Sequence, residues 1–501
     1  MLPRLLPLVC LLAQFALAEP GDLWKELPSG SYGVGFRFER TIDPTRTSDS
    51  THVGTPLGLA LWYPASQSSV DTAAVSQLDY HLLEFSRALD SSARQAFIDE
   101  QAAAMVAWRH IGIVPLTLDQ ARATFSTTGH AIRNASHATG KFPVVIILGG
   151  PWYLSTTAEF LASNGYLVVA PVRFHDARSE ILSSDFRLSI ENSLRDAEWA
   201  LAELRHDPNA DMNSVTALGH GGGGLQALLL GMRNRQISAV ANIDAAIFSS
   251  RTNPAQLLCY DPRLMRVPYL YLLTSDTRRQ SDQYSDFEKM KFSRRYEIIL
   301  NNPDLRHHDL SNLGRAVSAS LGIRGGQQAM VLRSYADLQI TLLMFLNANQ
   351  HHDSPAFARR LQSLGETHDY AVSTLDSIEP APELYDVLNE IERWTPARLR
   401  EAHQRDPEGE VFSEDGLLQI LSAAGSHGNR QALNLVPFAT GLHPGSIQIL
   451  QRAGGIAESA ADINLARDLA TRCLALKNDG GDWRTQAAQQ ECRERLRRLS
   501  R

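Results

Sequence analysis

Several things are scarce in this 501-residue sequence, and each scarcity removes a class of function. Positive charge is not in surplus: 48 Lys and Arg stand against 55 Asp and Glu, a net charge of −7, so there is no electrostatic footprint for nucleic acid or an anionic membrane surface. Zinc-like ligand sets are missing, because the pairs His307-His308 and His351-His352 have no further Cys or His at the separations such a site needs, and no metal is expected. Beyond the first eighteen residues no stretch reads as long enough to cross a bilayer, so no membrane span is expected. Cysteine is limited to Cys10, Cys259, Cys473 and Cys492.

What is present begins with a targeting signal. Arg4 precedes an apolar run from Leu5 to Ala18, broken by Pro7 and Gln14 and ending in Ala16-Leu17-Ala18 before Glu19, the layout of a secretory signal peptide over 1–18. The mature chain then starts near Glu19 in a secreted or periplasmic location, where Cys473 and Cys492 can form a disulfide. Cys259 is left over and reads as a buried apolar residue.

Between Tyr32 and Asn349 short β-rich runs alternate with helical patterns, which predicts an α/β fold with a mostly parallel sheet covered by helices. Strands are expected at 58–63, 142–148, 166–172, 214–218, 237–243, 267–273 and 296–300. Helices are expected through most of 79–123, at 157–164, around Leu194–Leu204, at 225–232 and at 335–346. This gives an α/β domain over 19–350, a polar, proline-broken linker over 351–396 and an all-helical region over 397–501. In that region Ala432, Leu435, Ala439 and Leu442 recur 34 residues later as Ala466, Leu469, Cys473 and Leu476, the period of tetratricopeptide repeats. Pro437 weakens the first copy, and an unrelated pair of helical hairpins is the other reading.

After the strand at 214–218 comes the turn Gly219-His220-Gly221-Gly222-Gly223-Gly224, which opens a helix. A catalytic serine on such a turn is held in the sequence G-x-S-x-G, where small neighbours let the backbone take a strained conformation. Together with Tyr32-Gly33-Val34-Gly35, Leu61-Trp62-Tyr63-Pro64-Ala65 and Phe160-Leu161-Ala162-Ser163-Asn164-Gly165-Tyr166, this turn resembles the α/β-hydrolase superfamily, in its dienelactone-hydrolase-like and platelet-activating-factor-acetylhydrolase-like branch, whose elbow commonly reads G-H-S-x-G-G. The resemblance covers about 32–349 and implies the α/β-hydrolase fold. By position it implies Gly221 in place of the nucleophile, Asp244 as the acid and His307 as the base, with His308 and Asp276 as alternatives for base and acid. It also implies an oxyanion loop at Gly149-Gly150-Pro151-Trp152, partnered by Gly222.

The departures matter more than the matches. Glycine carries no oxygen, so no acyl-enzyme can form at Gly221, and Pro151 has no N–H to offer an oxyanion. A catalytically impaired or inactive relative of serine esterases is therefore expected, acting through a small ester-like or hydrophobic ligand, or through a protein partner held by the helical repeats, with no cofactor. An active ester hydrolase with a relocated nucleophile, at Ser155 or Ser275, is one alternative, although each serine also reads as a turn or capping residue. A dinucleotide-binding protein is another, since Gly219, Gly221 and Gly224 satisfy G-x-G-x-x-G with Asp244 twenty residues beyond. Several strands precede the motif, whereas the dinucleotide fingerprint normally opens its domain, and no Lys-Ser/Thr follows the glycines as a Walker loop would need.

Overall fold

The computed structural model describes residues 24, 27–46, 54–66, 74–85, 88–107, 116–174, 186–245, 247–248, 254–257, 260–281, 285–303, 305–315, 326–350, 354–427, 429–477 and 483–500. The expected signal peptide, Cys259 and the pair His351-His352 lie outside them. Two compact units divide the chain, Met1–Ser377 and Ile378–Arg501.

The first unit is built on one eleven-stranded sheet. Its strands are β1 (Gly33–Asp43), β2 (Thr55–Ala65), β3 (Ala74–Ser76), β4 (Thr128–Arg133), β5 (Phe142–Leu148), β6 (Leu167–Arg173), β7 (Ala210–His220), β8 (Ile237–Ile243), β9 (Tyr269–Thr274), β10 (Arg295–Leu300) and β11 (Tyr370–Leu375). In space they run β11-β10-β9-β8-β7-β5-β6-β2-β1-β4-β3. The six strands from β6 to β10 are mutually parallel, whereas β2 is antiparallel to both β6 and β1 and β11 is antiparallel to β10. Ten described helices accompany them: α1 (Gln77–His81), α2 (Ser91–Ala107), α3 (Leu118–Thr124), α4 (Ser155–Ser163), α5 (Phe186–Leu204), α6 (Gly222–Arg233), α7 (Ser275–Gln280), α8 (Ser285–Lys289), α9 (Gly326–Gln350) and α10 (Ser354–Gly365).

The continuous apolar run of β5 follows from burial on both faces. Val145 and Ile147 pack with α4, α9 and α10, while Val144, Ile146 and Leu148 pack with α5 and α6. From β5 the chain passes to β6 on one side and then, through α5, to β7 on the other. The β5–β7 pair is thus the topological switch point of the sheet, and a crevice for ligands is expected beyond the carboxyl ends of its strands. The Gly149–Pro151 loop and the Gly219–Gly224 turn both stand there.

Three expectations change. The stretch 351–396 is not a linker: α10 and β11 fall within it and complete the first unit, and the boundary comes after Ser377. Residues 79–123 carry α1, the seventeen-residue α2 and α3, as the helical expectation has it, but β1, β3 and β4 around them form an unexpected edge of the sheet outside β2. Helix α9 is longer than 335–346, and Ala329–Gln350 is long and apolar enough to cross a membrane by composition. Its apolar stripe, including Tyr335, Leu338, Leu342, Phe345 and Leu346, lies instead in the core against the sheet.

The second unit is all helical among the described residues, with α11 (Leu384–Asn389), α12 (Pro396–Arg405), α13 (Glu414–His427), α14 (Asn429–Leu442), α15 (Ile447–Ser459), α16 (Ile463–Ala475) and α17 (Trp483–Leu499). Corresponding positions of α14 and α16 are buried alike: Ala432 with Ala466, Leu435 with Leu469, Ala439 with Cys473. Pro437 lies inside α14 without ending it. Arg495 of α17 is buried against α15 and pairs with Glu458 at 2.9 Å, in a space that exists because Gly454 and Gly455 carry no Cβ. A disulfide, Cys473–Cys492, ties α16 to α17. Because that link closes a loop of nineteen residues, reducing it is expected to lower the stability of the second unit by about 3 kcal/mol, read as a lower urea midpoint in the presence of dithiothreitol. An unchanged midpoint would contradict the pairing.

Candidate functional site

At the end of β7 the chain reverses into α6 through Gly221, whose φ of 54° and ψ of −124° lie in a region that side chains rarely occupy. The turn presses on the end of β5: a Cβ on Gly223 would stand 2.1 Å from the Leu148 carbonyl oxygen, so glycine is required there by contact rather than by dihedral angle. Gly221 N–H donates to the Ile243 carbonyl at 3.1 Å, which fixes the turn to the end of β8.

One residue further along, Asp244 takes a left-handed conformation with φ 47°, and its carboxylate is fully enclosed. Oδ1 accepts from the Thr274 backbone N–H at 2.6 Å and from its hydroxyl at 2.9 Å. Oδ2 accepts from His307 Nδ1 at 2.9 Å. Burial raises the pKa of this carboxyl, but the His307 and Thr274 hydrogen bonds outweigh it and hold the group below its ordinary value, as a carboxylate. His307 stands on a short 3-10 turn, His307–Leu310, after β10. Its other ring nitrogen faces the elbow: the position of a Cβ on Gly221 lies 2.8 Å from His307 Nε2. Asp244, His307 and Gly221 therefore stand in line, and the third has no side chain.

Of the alternatives, His308 packs edge-on to His307 with ring centres 4.9 Å apart, and burial together with His307 pushes its pKa down to about 4. The Asp244 carboxylate is engaged by Thr274 and His307. Asp276 lies in the first turn of α7, where its carboxylate accepts from Arg279 and Gln280 at 3.1 Å. Ser155 is buried and its hydroxyl faces the Trp152 carbonyl, Ser275 opens α7, and neither lines the cavity beside His307. The dinucleotide reading fares no better, because both oxygens of Asp244 are already engaged and the His307 ring occupies the space before Gly221.

That cavity measures about 560 Å³ and joins Gly221, Gly222 and His307 to an apolar wall of Phe186, Ile190, Leu225 and Ile247. A second one, of about 360 Å³, shares Ser189 and Gln226 with it and runs along Gly149–Tyr153. As the first residue of α6, Gly222 has an N–H without an intrahelical acceptor. The opposite loop is poorly suited to an oxyanion: Pro151 opens a 3-10 turn without an N–H, and Glu84 Oε1 lies 3.8 Å from where a Gly150 Cβ would stand.

His220 is a site residue that sequence reasoning passed over. Its ring stacks on His307 at 4.3 Å and its Nε2 lies 3.2 Å from the His307 carbonyl oxygen, while burial, reinforced by His307, pushes its pKa down to about 3. A neutral imidazole donating that hydrogen bond fixes the turn that carries His307. Its place as the second residue of the elbow was the only available signal.

No known protein-family profile matches this sequence, and no curated protein matches it. Among solved structures, a ferulic acid esterase from Streptomyces cinnamoneus is similar over 70% of this chain and 98% of its own, at 18% identity and a TM-score of 0.47. The strand order β1-β2-β6-β5-β7-β8-β9-β10, with β2 antiparallel and a strand-to-helix elbow after β7, makes the first unit an α/β-hydrolase fold.

Asp309, on the turn of His307, supplies a test by pH. Burial pushes its carboxyl up to about 7, although its hydrogen bond from Arg306 N–H pulls the other way. A carboxyl raised in the folded state stabilises most below its unfolded pKa, and that contribution is lost as pH rises through the folded value. Asp309→Asn, which keeps the Arg306 hydrogen bond, is expected to raise the unfolding free energy relative to wild type by an amount that grows from about pH 4 to pH 7 and reaches about 4 kcal/mol above it. Urea titrations at pH 5 and pH 8 measure this; equal effects at both would contradict it.

Proposed function

We propose that this protein is a relative of serine esterases that has given up acyl-enzyme chemistry and keeps the former active site as a binding cavity for a small ester-like or hydrophobic ligand. The observation that carries this reading is Gly221: the backbone of a nucleophile elbow, aligned with a histidine and an aspartate, without a hydroxyl. The altered oxyanion loop supports it, since two parts of one catalytic device are affected together. The elbow sequence and its neighbours favour descent from the dienelactone-hydrolase-like and platelet-activating-factor-acetylhydrolase-like branch. An N-terminal segment with the layout of a signal peptide and a disulfide in the second unit favour a secreted or periplasmic protein. For the second unit we propose tetratricopeptide-like helix pairs that hold a protein partner, on the 34-residue recurrence of its buried small and apolar positions.

A fluorophosphonate probe tests the central point. Wild-type protein is expected to remain unlabelled, and labelling at any serine would sink the proposal. Gly221→Ser restores a hydroxyl in front of His307, at a cost of about 1–3 kcal/mol for a side chain at this φ and after a small retreat of the imidazole. It is expected to gain labelling at the introduced serine and measurable turnover of p-nitrophenyl acetate, more so when combined with Pro151→Ala. If both variants fold and neither gains labelling, Asp244 and His307 are not poised for catalysis.

A further inference from the structure

We infer that the His307–Asp244 pair, with no hydroxyl before it, takes a water molecule of the cavity as its nucleophile and slowly hydrolyses activated carboxylic esters, chiefly phenyl and enol esters, without an acyl-enzyme. The inference rests on the reading that Gly221 leaves the elbow without a nucleophile.

Its basis is the way His307 is held. Nδ1 donates to a carboxylate that is itself kept ionised, so the ring's lone pair is on Nε2. No described residue hydrogen-bonds that nitrogen. His220 meets the backbone oxygen of His307 and supports the ring face by stacking, leaving the ring edge open. The His307 side chain is 38% exposed and lines the 560 Å³ cavity, so water reaches Nε2. The missing Gly221 side chain removes the group that would otherwise stand between imidazole and substrate.

The step balances with these groups alone. As a water proton passes to His307 Nε2, the water oxygen bonds to the ester carbonyl carbon and the carbonyl π electrons move to its oxygen, which accepts from the Gly222 N–H. When that electron pair returns, the bond to the leaving oxygen breaks and this oxygen takes the proton from Nε2. Carboxylic acid and alcohol are released, and the imidazole is neutral again. The site also selects the substrate. With Pro151 and Glu84 on the opposite side, oxyanion stabilisation is weak, so a good leaving group must supply what the loop does not. Phe186, Ile190, Leu225 and Ile247 favour an apolar acyl or aryl group.

The full chain is assayed with p-nitrophenyl butyrate. Turnover above buffer is expected in protein that a fluorophosphonate leaves unlabelled, without a burst and slower in D2O. His307→Gln is expected to lose about 100-fold or more of it, the usual range for a general base. An unchanged rate in folded His307→Gln, or no turnover in unlabelled wild type, overturns the inference and leaves the cavity reading standing. A burst with a labelled serine overturns both. Should the variant fail to fold, the wild type decides, because equal rates in H2O and D2O exclude proton removal from water in the slow step.

Discussion

Asp244 places a carboxylate at the carboxyl end of β8 where no water reaches it, and three donors from two other strand ends compensate its charge. Two come from Thr274 at the end of β9, and the third comes from His307 after β10. Removing a partner from a buried charge of this kind costs about 3–5 kcal/mol, so the ends of three neighbouring strands are held in register by a single side chain. His220 adds the fourth strand end, since it sits on β7 and binds the His307 backbone. The alignment of the candidate site is thus a consequence of how the sheet's carboxyl edge is stitched, and it persists whether or not chemistry takes place there.

The elbow depends on a different constraint, and on a cheaper one for glycine than for serine. A side chain at φ 54° stores about 1–3 kcal/mol of backbone strain, which an active enzyme tolerates because the serine is needed. Glycine relieves that strain while leaving the turn unchanged, because the turn is also fixed by the Gly221 N–H bond to Ile243 and by the close contact of Gly223 with Leu148. Glycine at this position therefore stabilises the fold relative to a residue with a side chain.

How much of this was legible depended on burial. Strands β5 and β8 were readable as apolar runs because both of their faces are covered, and the elbow was readable because a glycine cluster between strand and helix has few other uses. The acid and the histidine were placed by position in the pattern, and the structure puts them 2.9 Å apart. Strand β11 left little trace: it is an edge strand paired with β10 in which Tyr370 and Val372 are half-buried against the core and the rest is exposed, so its alternation is too short to read. His220 and Thr274 were invisible for another reason. Their roles arise from contacts between strand ends that lie far apart in sequence; nothing local marks Thr274, and His220 is marked only by its place in the elbow.

Since the fold has its own reasons to keep Asp244, the aspartate by itself says little about function, and the weight falls on His307. A structural partner for a buried carboxylate needs only its Nδ1–H. An asparagine or glutamine amide could serve that end, as the Thr274 backbone and hydroxyl already do from the other side. What an imidazole adds is a second nitrogen, and here that nitrogen is turned towards the cavity and the empty elbow rather than into the core. Burying it would have been simple, as neighbouring His220, which is buried, demonstrates. Of the three histidines gathered at this edge of the sheet, the one bonded to Asp244 is also the one that lines the cavity, and that combination is what a proton acceptor for water requires.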